Sequence, residues 1–480
     1  MSRLRVLLAN AAAIMSGKAV TAVAGLATIM VLTRNLGPQE FGYYRTVLTF
    51  ATFASVLADC GLYMVTLREM SRPGVDGARV VGTVLPLRLM SSISVLLLAC
   101  ALAWTFPYDR IVKWGVFIGA GVYTCFQASE LLLAVFQSVL KQGRSAAAEG
   151  TGAIVTLTCV WILAIVHGGP LAMLGATFLG TLVALAIAWR LARALVPFRL
   201  TWDVAGWRHY LVLGLPMAGS QILRLAILRG DSLILSLFQP AAAVGLYGVS
   251  TKIFELATSL AFMFGGLMMP SLSSAFERDR ADFSRVLGHT VDTAVIYGVG
   301  AVLALAPFAP QVLSLIAGPE FADGAPALVV ISFAIGLAGL SHVLRFALVA
   351  YERSRLILEA DAVACLLGFV AYFSLIPKFS LLGAAIGTVI AEFISLLGML
   401  RGLRRAGVPL PSPVNLFKAV GAGGLGYAAI VACNQLEVPW LLSLLLAGVV
   451  YLVVLALTRA IPPELIASVL RRRDTYQRSA

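Results

Sequence analysis

Charge is scarce in this 480-residue chain: Asp, Glu, Lys and Arg make up 12% of it, about half the share of an ordinary soluble domain. So few charges cannot cover a water-facing surface, which excludes a soluble globular fold and a charged disordered chain. Cysteine is sparse too. Cys60, Cys100, Cys125, Cys159, Cys365 and Cys433 all fall in apolar runs without CxxC spacing, so neither a disulfide scaffold nor a zinc ribbon is expected. Histidine is limited to the scattered His167, His209, His289 and His342, with no HExxH and no Gly-x-Ser-x-Gly. A metal site or an esterase nucleophile therefore has no carrier. Nucleotide motifs are missing as well. Gly421-Ala422-Gly423-Gly424-Leu425-Gly426 spells GxGxxG inside an apolar span with no strand before it, and Ser16-Gly17-Lys18-Ala19 lacks the P-loop spacing. Active transport by this chain would have to draw on an ion gradient or a partner's chemistry, with no cofactor.

What is present is apolar length: 60% of residues are hydrophobic and the mean hydropathy is +0.93. A helix crossing a bilayer needs about 20 apolar residues. Spans are predicted at 8–33, 42–66, 80–104, 113–138, 146–166, 170–189, 210–235, 244–270, 286–307, 325–350, 356–376, 380–400, 416–434 and 438–458. The chain reads as an all-α polytopic membrane protein of about 14 transmembrane helices. The first span exceeds a signal peptide in length, contains Lys18 and precedes no convincing cleavage site. The connecting loops are too short for a folded extracytoplasmic domain. Twenty-five Lys and Arg fall on the N-terminal side of the membrane, against Arg34, Arg110, Lys113 and Lys378 on the other. The positive-inside rule then places both termini in the cytoplasm. The net charge of +13 thus marks orientation, not nucleic acid, and Arg471-Arg472-Arg473 reads as a topology anchor at acidic lipid.

The sequence echoes itself at an offset near 200 residues. Leu36-Gly37-Pro38-Gln39-Glu40-Phe41-Gly42-Tyr43-Tyr44 returns faintly as Val244-Gly245-Leu246-Tyr247, and Leu174-Gly175-Ala176 as Leu382-Gly383-Ala384. Six spans separate the copies, so the repeat is parallel. It predicts pseudo-symmetric six-helix lobes at 1–195 and 196–405, spans 13 and 14 at 406–460, and a basic cytoplasmic tail at 461–480, an organisation found in alternating-access carriers.

Seven cations lie inside spans: Lys18, Arg45, Arg88, Arg224, Arg229, Lys252 and Arg345. At mid-bilayer each costs about 2.5–3.5 kcal/mol, so they are expected to line a wet cavity, pair with acids, or snorkel. Arg45, Thr49, Thr52 and Asp59 share one helical face. Ser220, Gln221, Arg224 and Asp231 make a second polar stripe, Thr251, Lys252, Glu255, Thr258 and Ser259 a third, and Gln127, Glu130 and Gln137 a fourth. Lys18 with Arg45, and Arg224 with Lys252, recur at nearly the repeat offset, as if two cations per lobe faced a central anion-binding space. Such a space suits phosphate or pyrophosphate, with Ser, Thr and Gln for a hydroxyl-rich cargo. The bland alternative is ion pairing, Arg224 with Asp231, Lys252 with Glu255 and Arg45 with Asp59, or snorkelling for Arg45 and Arg229. Arg88 stands alone. The embedded acids Asp59, Glu130, Asp231, Glu255, Asp292 and Glu392 are candidates for proton or sodium coupling or for charge pairing. Pro86, Pro216 and Pro307 are candidate kinks.

The stretch Leu32-Thr33-Arg34-Asn35-Leu36-Gly37-Pro38-Gln39-Glu40-Phe41-Gly42-Tyr43-Tyr44, then Ala58-Asp59-Cys60-Gly61-Leu62 and Leu67-Arg68-Glu69, resembles the N-terminus of Wzx-type oligosaccharide flippases. These form the polysaccharide-biosynthesis branch of the multidrug/oligosaccharidyl-lipid/polysaccharide exporter superfamily. Gly214-Leu215-Pro216, Asp231, Val244-Gly245-Leu246-Tyr247 and Leu381-Leu382-Gly383-Ala384-Ala385 extend the resemblance along the chain. It implies two bundles packed as a V, a rocker-switch cycle, and translocation of an undecaprenyl-pyrophosphate-linked repeat unit, of the O-antigen or exopolysaccharide kind, from the inner to the outer leaflet of the bacterial cytoplasmic membrane. The partners it implies are the polyprenyl-pyrophosphate-linked glycan, the bilayer, and polymerase and chain-length components of the same pathway. A multidrug antiporter is the alternative within the superfamily, expected to carry an acid-dominated lumen. A polysaccharide polymerase, ligase or glycosyltransferase would need a sizeable outer loop, and a nonenzymatic scaffold would leave the buried charge unexplained.

Overall fold

The computed structural model describes residues 3–70, 72, 74–139, 141–409 and 412–460, the side chains of residues 3–16, 216, 217, 220, 221 and 224 excepted. The side chains of Arg3, Arg5, Pro216, Ser220, Gln221 and Arg224, and the tail carrying Arg471-Arg472-Arg473, therefore lie outside the described residues.

Helix follows helix: α1 (Arg3–Asp59), α2 (Leu62–Met70), α3 (Gly77–Ala103), α4 (Arg110–Ser138), α5 (Gln142–Ile165), α6 (Pro170–Leu195), α7 (Val204–Phe238), α8 (Ala241–Arg278), α9 (Arg280–Leu305), α10 (Ala309–Ala317), a 3-10 turn at Pro319–Gly324, α11 (Ala325–Ala350), α12 (Ser354–Arg405), α13 (Val414–Gln435) and α14 (Trp440–Leu457). No strand occurs among the described residues. Eleven helices among them are long and apolar enough to cross a membrane.

Two of those helices fold back on themselves. In α1 the break is Gly37, at φ 67° and ψ 178°, a region that glycine alone enters freely. Pro38 then opens the second half, its fixed φ suiting a first helical residue. Before the break the chain tracks α5, with Gly17 against Ala146 and Asn35 Nδ2 donating to the Gly168 carbonyl at 3.2 Å. After it, Tyr44 meets Thr177 of the returning α6, the hydroxyls 3.0 Å apart. In α12 the break is Ser380, at φ 50° and ψ −130°. Gly383 packs on the Leu375 carbonyl and Gly387 on the Tyr372 ring, contacts that require a hairpin. Where the predicted spans 8–33 and 42–66 leave a connection at 34–41, all but Gly37 keeps helical geometry. Counting each folded helix as two segments, and adding the 35-residue α7, the described residues hold fourteen long helical segments, the number of spans the sequence predicts. The second pass ends at Asp59 rather than continuing to residue 66. Gly61 turns there at φ 73°, and a Cβ would lie 2.4 Å from the Gly214 carbonyl oxygen.

The chain forms two compact units, residues 1–248 with 316–320, and residues 249–315 with 321–480, so α8 passes from the first to the second at Gly248–Val249. In the first, Leu62 of α2, Val81 and Leu85 of α3, and Leu131 and Phe136 of α4 form a buried core. In the second, Leu272, Leu287, Leu344 and Met399 do the same, and Ala419, Ala422, Ala447 and Tyr451 seat α13 and α14 on α9. Lipid tails are as apolar as leucine, so close packing rather than water exclusion joins such helices. Small residues supply it: Gly152 meets Gly180 and Ala184, and Gly298 meets Gly336.

Candidate functional site

In the first unit charge gathers around Arg88 of α3, a side chain with no exposed surface. Its Nη2 donates to Gln127 Oε1 at 2.7 Å and to Glu130 Oε2 at 2.7 Å. Asp59 Oδ1 lies 2.8 Å from the same nitrogen. Gln127 is itself held by donating Nε2 to the Ser55 carbonyl. Glu130 and Gln127 sit three residues apart on one face of α4, and Asp59 is the last residue of α1, so three helices bring their polar residues to one point. Arg88 has partners on two other helices where the sequence left it alone. Asp59 pairs with it and not with Arg45, since fourteen helical residues hold Arg45 about 21 Å away along the axis.

The polar stripe Arg45–Thr49–Thr52–Asp59 accordingly forms, over its second half, a seam against α4: Thr52 bonds Tyr123, and Asp59 reaches the Arg88 cluster. Gln137 closes the α4 stripe by accepting from Tyr63 at 2.9 Å. Arg45 is half-buried and lies over Gly248, where a Cβ would stand 3.0 Å from its Nε. Lys18 is exposed. Because Gly17 packs on Ala146, one turn from the start of α5, Lys18 sits near that end of the unit and not at the centre of the predicted span. Arg229 is half-buried and Asp231 buried. Asp231 accepts from the Tyr247 hydroxyl at 2.6 Å and from its neighbour's amide, Ser232 N, at 2.5 Å. The two sequence motifs that echo each other also touch. Gly42 packs on the Ala241 carbonyl and Gly245 on the Pro38 carbonyl, closer than any Cβ would permit.

In the second unit Arg345 of α11 grips Asp361 of α12 with both ends of its guanidinium, at 2.6 Å and 2.7 Å. Lys252 contacts Glu255 one turn along α8 at 3.2 Å, as the sequence allows. Asp292 accepts from Asn415 Nδ2 at 2.7 Å, and Glu392 is buried. A separate cavity of about 860 Å³ opens among α9, α11, α12 and α13, walled by Val299, Val302, Phe333, Gly336, Val389 and Val420. No Lys or Arg among the described residues lines it, so it offers no positive charge to an anion. No cluster of His, Cys, Asp and Glu suited to a metal occurs among the described residues.

Asp361 and Tyr247 are partners that sequence reasoning missed, and a signal for them existed. Helices joined by a tight turn run antiparallel, so residues equidistant from the turn lie at one level. Arg345 and Asp361 stand eight residues either side of Arg353, Asp231 and Tyr247 eight either side of Gln239, and Arg88 and Glu130 twenty-one either side of Asp109.

Comparison with known proteins sets these clusters in context. The family profile described as "Polysaccharide biosynthesis protein" matches residues 7–276, more than half of the chain. An uncharacterized membrane protein of Methanocaldococcus jannaschii is 24% identical over 201 residues, which are 41% of this chain and 38% of that protein. The capsular polysaccharide biosynthesis protein CapF of Staphylococcus aureus is 20% identical over 196 residues, 41% of this chain and 50% of its own. The matches thus span half or less of those relatives. Among solved structures, the lipid II flippase MurJ in an inward closed conformation aligns with a TM-score of 0.80 at 11% identity, covering 93% of this chain and 98% of that one. An inward-facing multidrug resistance MATE family transporter of the MOP superfamily gives 0.63 at 16% identity, covering 81% and 94%. A MOP superfamily transporter from Pyrococcus furiosus, described as having a binding pocket of reverse polarity, gives 0.54 at 15% identity, covering 84% and 95%. At such identities the likeness is one of fold alone, an all-helical arrangement shared with these membrane proteins.

Proposed function

The chain belongs to the polysaccharide biosynthesis protein family, and from that premise we propose that it flips a lipid-linked oligosaccharide, an undecaprenyl-pyrophosphate-linked repeat unit, from the inner to the outer leaflet of the bacterial cytoplasmic membrane. It does so by alternating access, with the repeat halves 1–195 and 196–405 as the moving parts and both termini in the cytoplasm. No bond of the cargo is broken, so the chain acts as a carrier and not as an enzyme. The fold it shares with a lipid II flippase supports this reading.

The observation that carries it is the division among the intramembrane cations. Arg88 and Arg345 are held by acids on other helices. Lys18, in contrast, is exposed on α1, and Lys252 keeps 34% of its side chain exposed beside Glu255. A pyrophosphate crossing the hydrocarbon layer needs positive charge within hydrogen-bond reach, because an uncompensated ion there is costly. Lys18, Arg45, Arg224, Arg229 and Lys252 supply it, while the Ser, Thr and Gln of their stripes bond sugar hydroxyls and the polyprenyl tail stays in lipid. Neutralising Lys18, Arg45, Arg224 and Lys252 together is expected to abolish glycan export at equal expression. Undiminished export would remove this mechanism. A multidrug antiporter would instead be revealed by drug resistance conferred on a sensitive host.

A further inference from the structure

The Arg88 cluster sets two carboxylates against one guanidinium. Arg88 Nη2 carries two hydrogens, and they are taken by Gln127 Oε1 and Glu130 Oε2. A third acceptor, Asp59 Oδ1, lies against the same nitrogen at 2.8 Å; this buried oxygen has no hydrogen-bond partner, and neither have Arg88 Nε and Nη1. One guanidinium faces two carboxylates, whereas the second unit's Arg345–Asp361 and Lys252–Glu255 contacts each match one cation with one anion. Arg88 is fully buried and Asp59 almost so, their side chains 0% and 7% exposed, and Glu130, mostly buried beside them, adds a second negative charge that this setting disfavours.

One added proton balances the charge. Glu130 Oε2 and Asp59 Oδ1 touch the same nitrogen, so they are no further apart than the sum of those two contacts. Two carboxyls set against one nitrogen share a proton rather than both ionise. Glu130 provides the way in, with 35% of its side chain exposed against 7% for Asp59. The other charged group facing Glu130 is Glu149 of α5, which adds to the negative excess, and Tyr63 of α2 senses the same three charges. A sodium ion would have to sit beside the guanidinium that already occupies the cluster, and like charge opposes it.

We propose that the Asp59–Glu130 pair holds one proton against Arg88 and is the proton-coupling site of this chain. The coupling rests on the proposed flipping, whereas the proton itself does not. Infrared difference spectroscopy of the full chain in lipid nanodiscs reads the proton directly. The wild type is expected to show the carbonyl stretch of a protonated carboxylic acid at neutral pH. Glu130→Gln and, separately, Asp59→Asn are expected to abolish it, because each leaves one acid matched to one arginine. Wild-type and Glu130→Gln spectra that superpose would overturn the proposal, as would a band that survives in Asp59→Asn, the variant to read if Glu130→Gln does not fold. A band displaced by added sodium at constant pH would replace the proton with a cation. In proteoliposomes, flipping of the lipid-linked oligosaccharide is expected to respond to an imposed pH gradient in the wild type and to lose that response in Glu130→Gln. Flipping indifferent to the gradient in the wild type would refute the coupling and leave the function standing. Absence of flipping under every gradient would count against the function, with the infrared band still deciding the proton.

Discussion

Arg345 and Asp361 offer the sharpest separation of structural from cargo-binding charge. Their contact is two parallel hydrogen bonds, Nη1 to Oδ2 at 2.6 Å and Nη2 to Oδ1 at 2.7 Å, the bidentate geometry in which arginine and carboxylate interact most strongly. The side chains are only 18% and 11% exposed. Replacing one partner strands the other charge, at a cost of about 3–5 kcal/mol; the residual exposure of Arg345 argues for the lower end. Replacing both, as Arg345→Met with Asp361→Leu, removes the desolvation cost with the attraction and is expected to return stability to near that of the wild type. Unfolding of the purified chain in mixed micelles titrated with a denaturing detergent, followed by circular dichroism, reads all four corners of the cycle. A coupling below about 0.5 kcal/mol, the level at which independent sites add, would refute the pairing. Transport then decides the role. If Arg345 serves only to join α11 to α12, the double variant flips cargo like the wild type; if it touches cargo, the double variant is stable and inactive.

Other outcomes follow from backbone geometry. Gly245→Ala would put a Cβ 1.9 Å from the Pro38 carbonyl oxygen, and overpacking of that kind is expected to destabilise by about 1–3 kcal/mol in the same unfolding assay. Gly25→Ala, with no atom within 4 Å of the added carbon, is the control and should be neutral or slightly stabilising. Gly37→Ala is expected to lose about 1–3 kcal/mol, since its φ of 67° and ψ of 178° suit glycine alone. Ser380→Gly should gain up to about 1–2 kcal/mol by relieving a serine at φ 50°. Equal stability of Gly37→Ala and wild type would show that the reversal does not depend on this residue.

The sequence determined the class of molecule and the count of passes. Apolar runs near twenty residues have few places to go other than a bilayer, and that demand acts locally, so it is legible one segment at a time. It also marked which charged residues lie within the apolar helices, and the motif Leu36–Tyr44 whose Gly37 reverses α1. Partners were another matter. Asp59 read as a companion of Arg45 because both lie on one helical face, but a shared face brings together residues three or four apart, not fourteen. Only the packing of α3 and α4 on the end of α1 delivered Asp59 and Glu130 to Arg88. Likewise, only the contact of Gly17 with Ala146 fixed the level of Lys18. Hydrophobic periodicity places a residue on a helix, whereas the depth and rotation of that helix against its neighbours are set by close contacts between side chains distant in sequence. Tertiary structure therefore decided which of the buried charges meet.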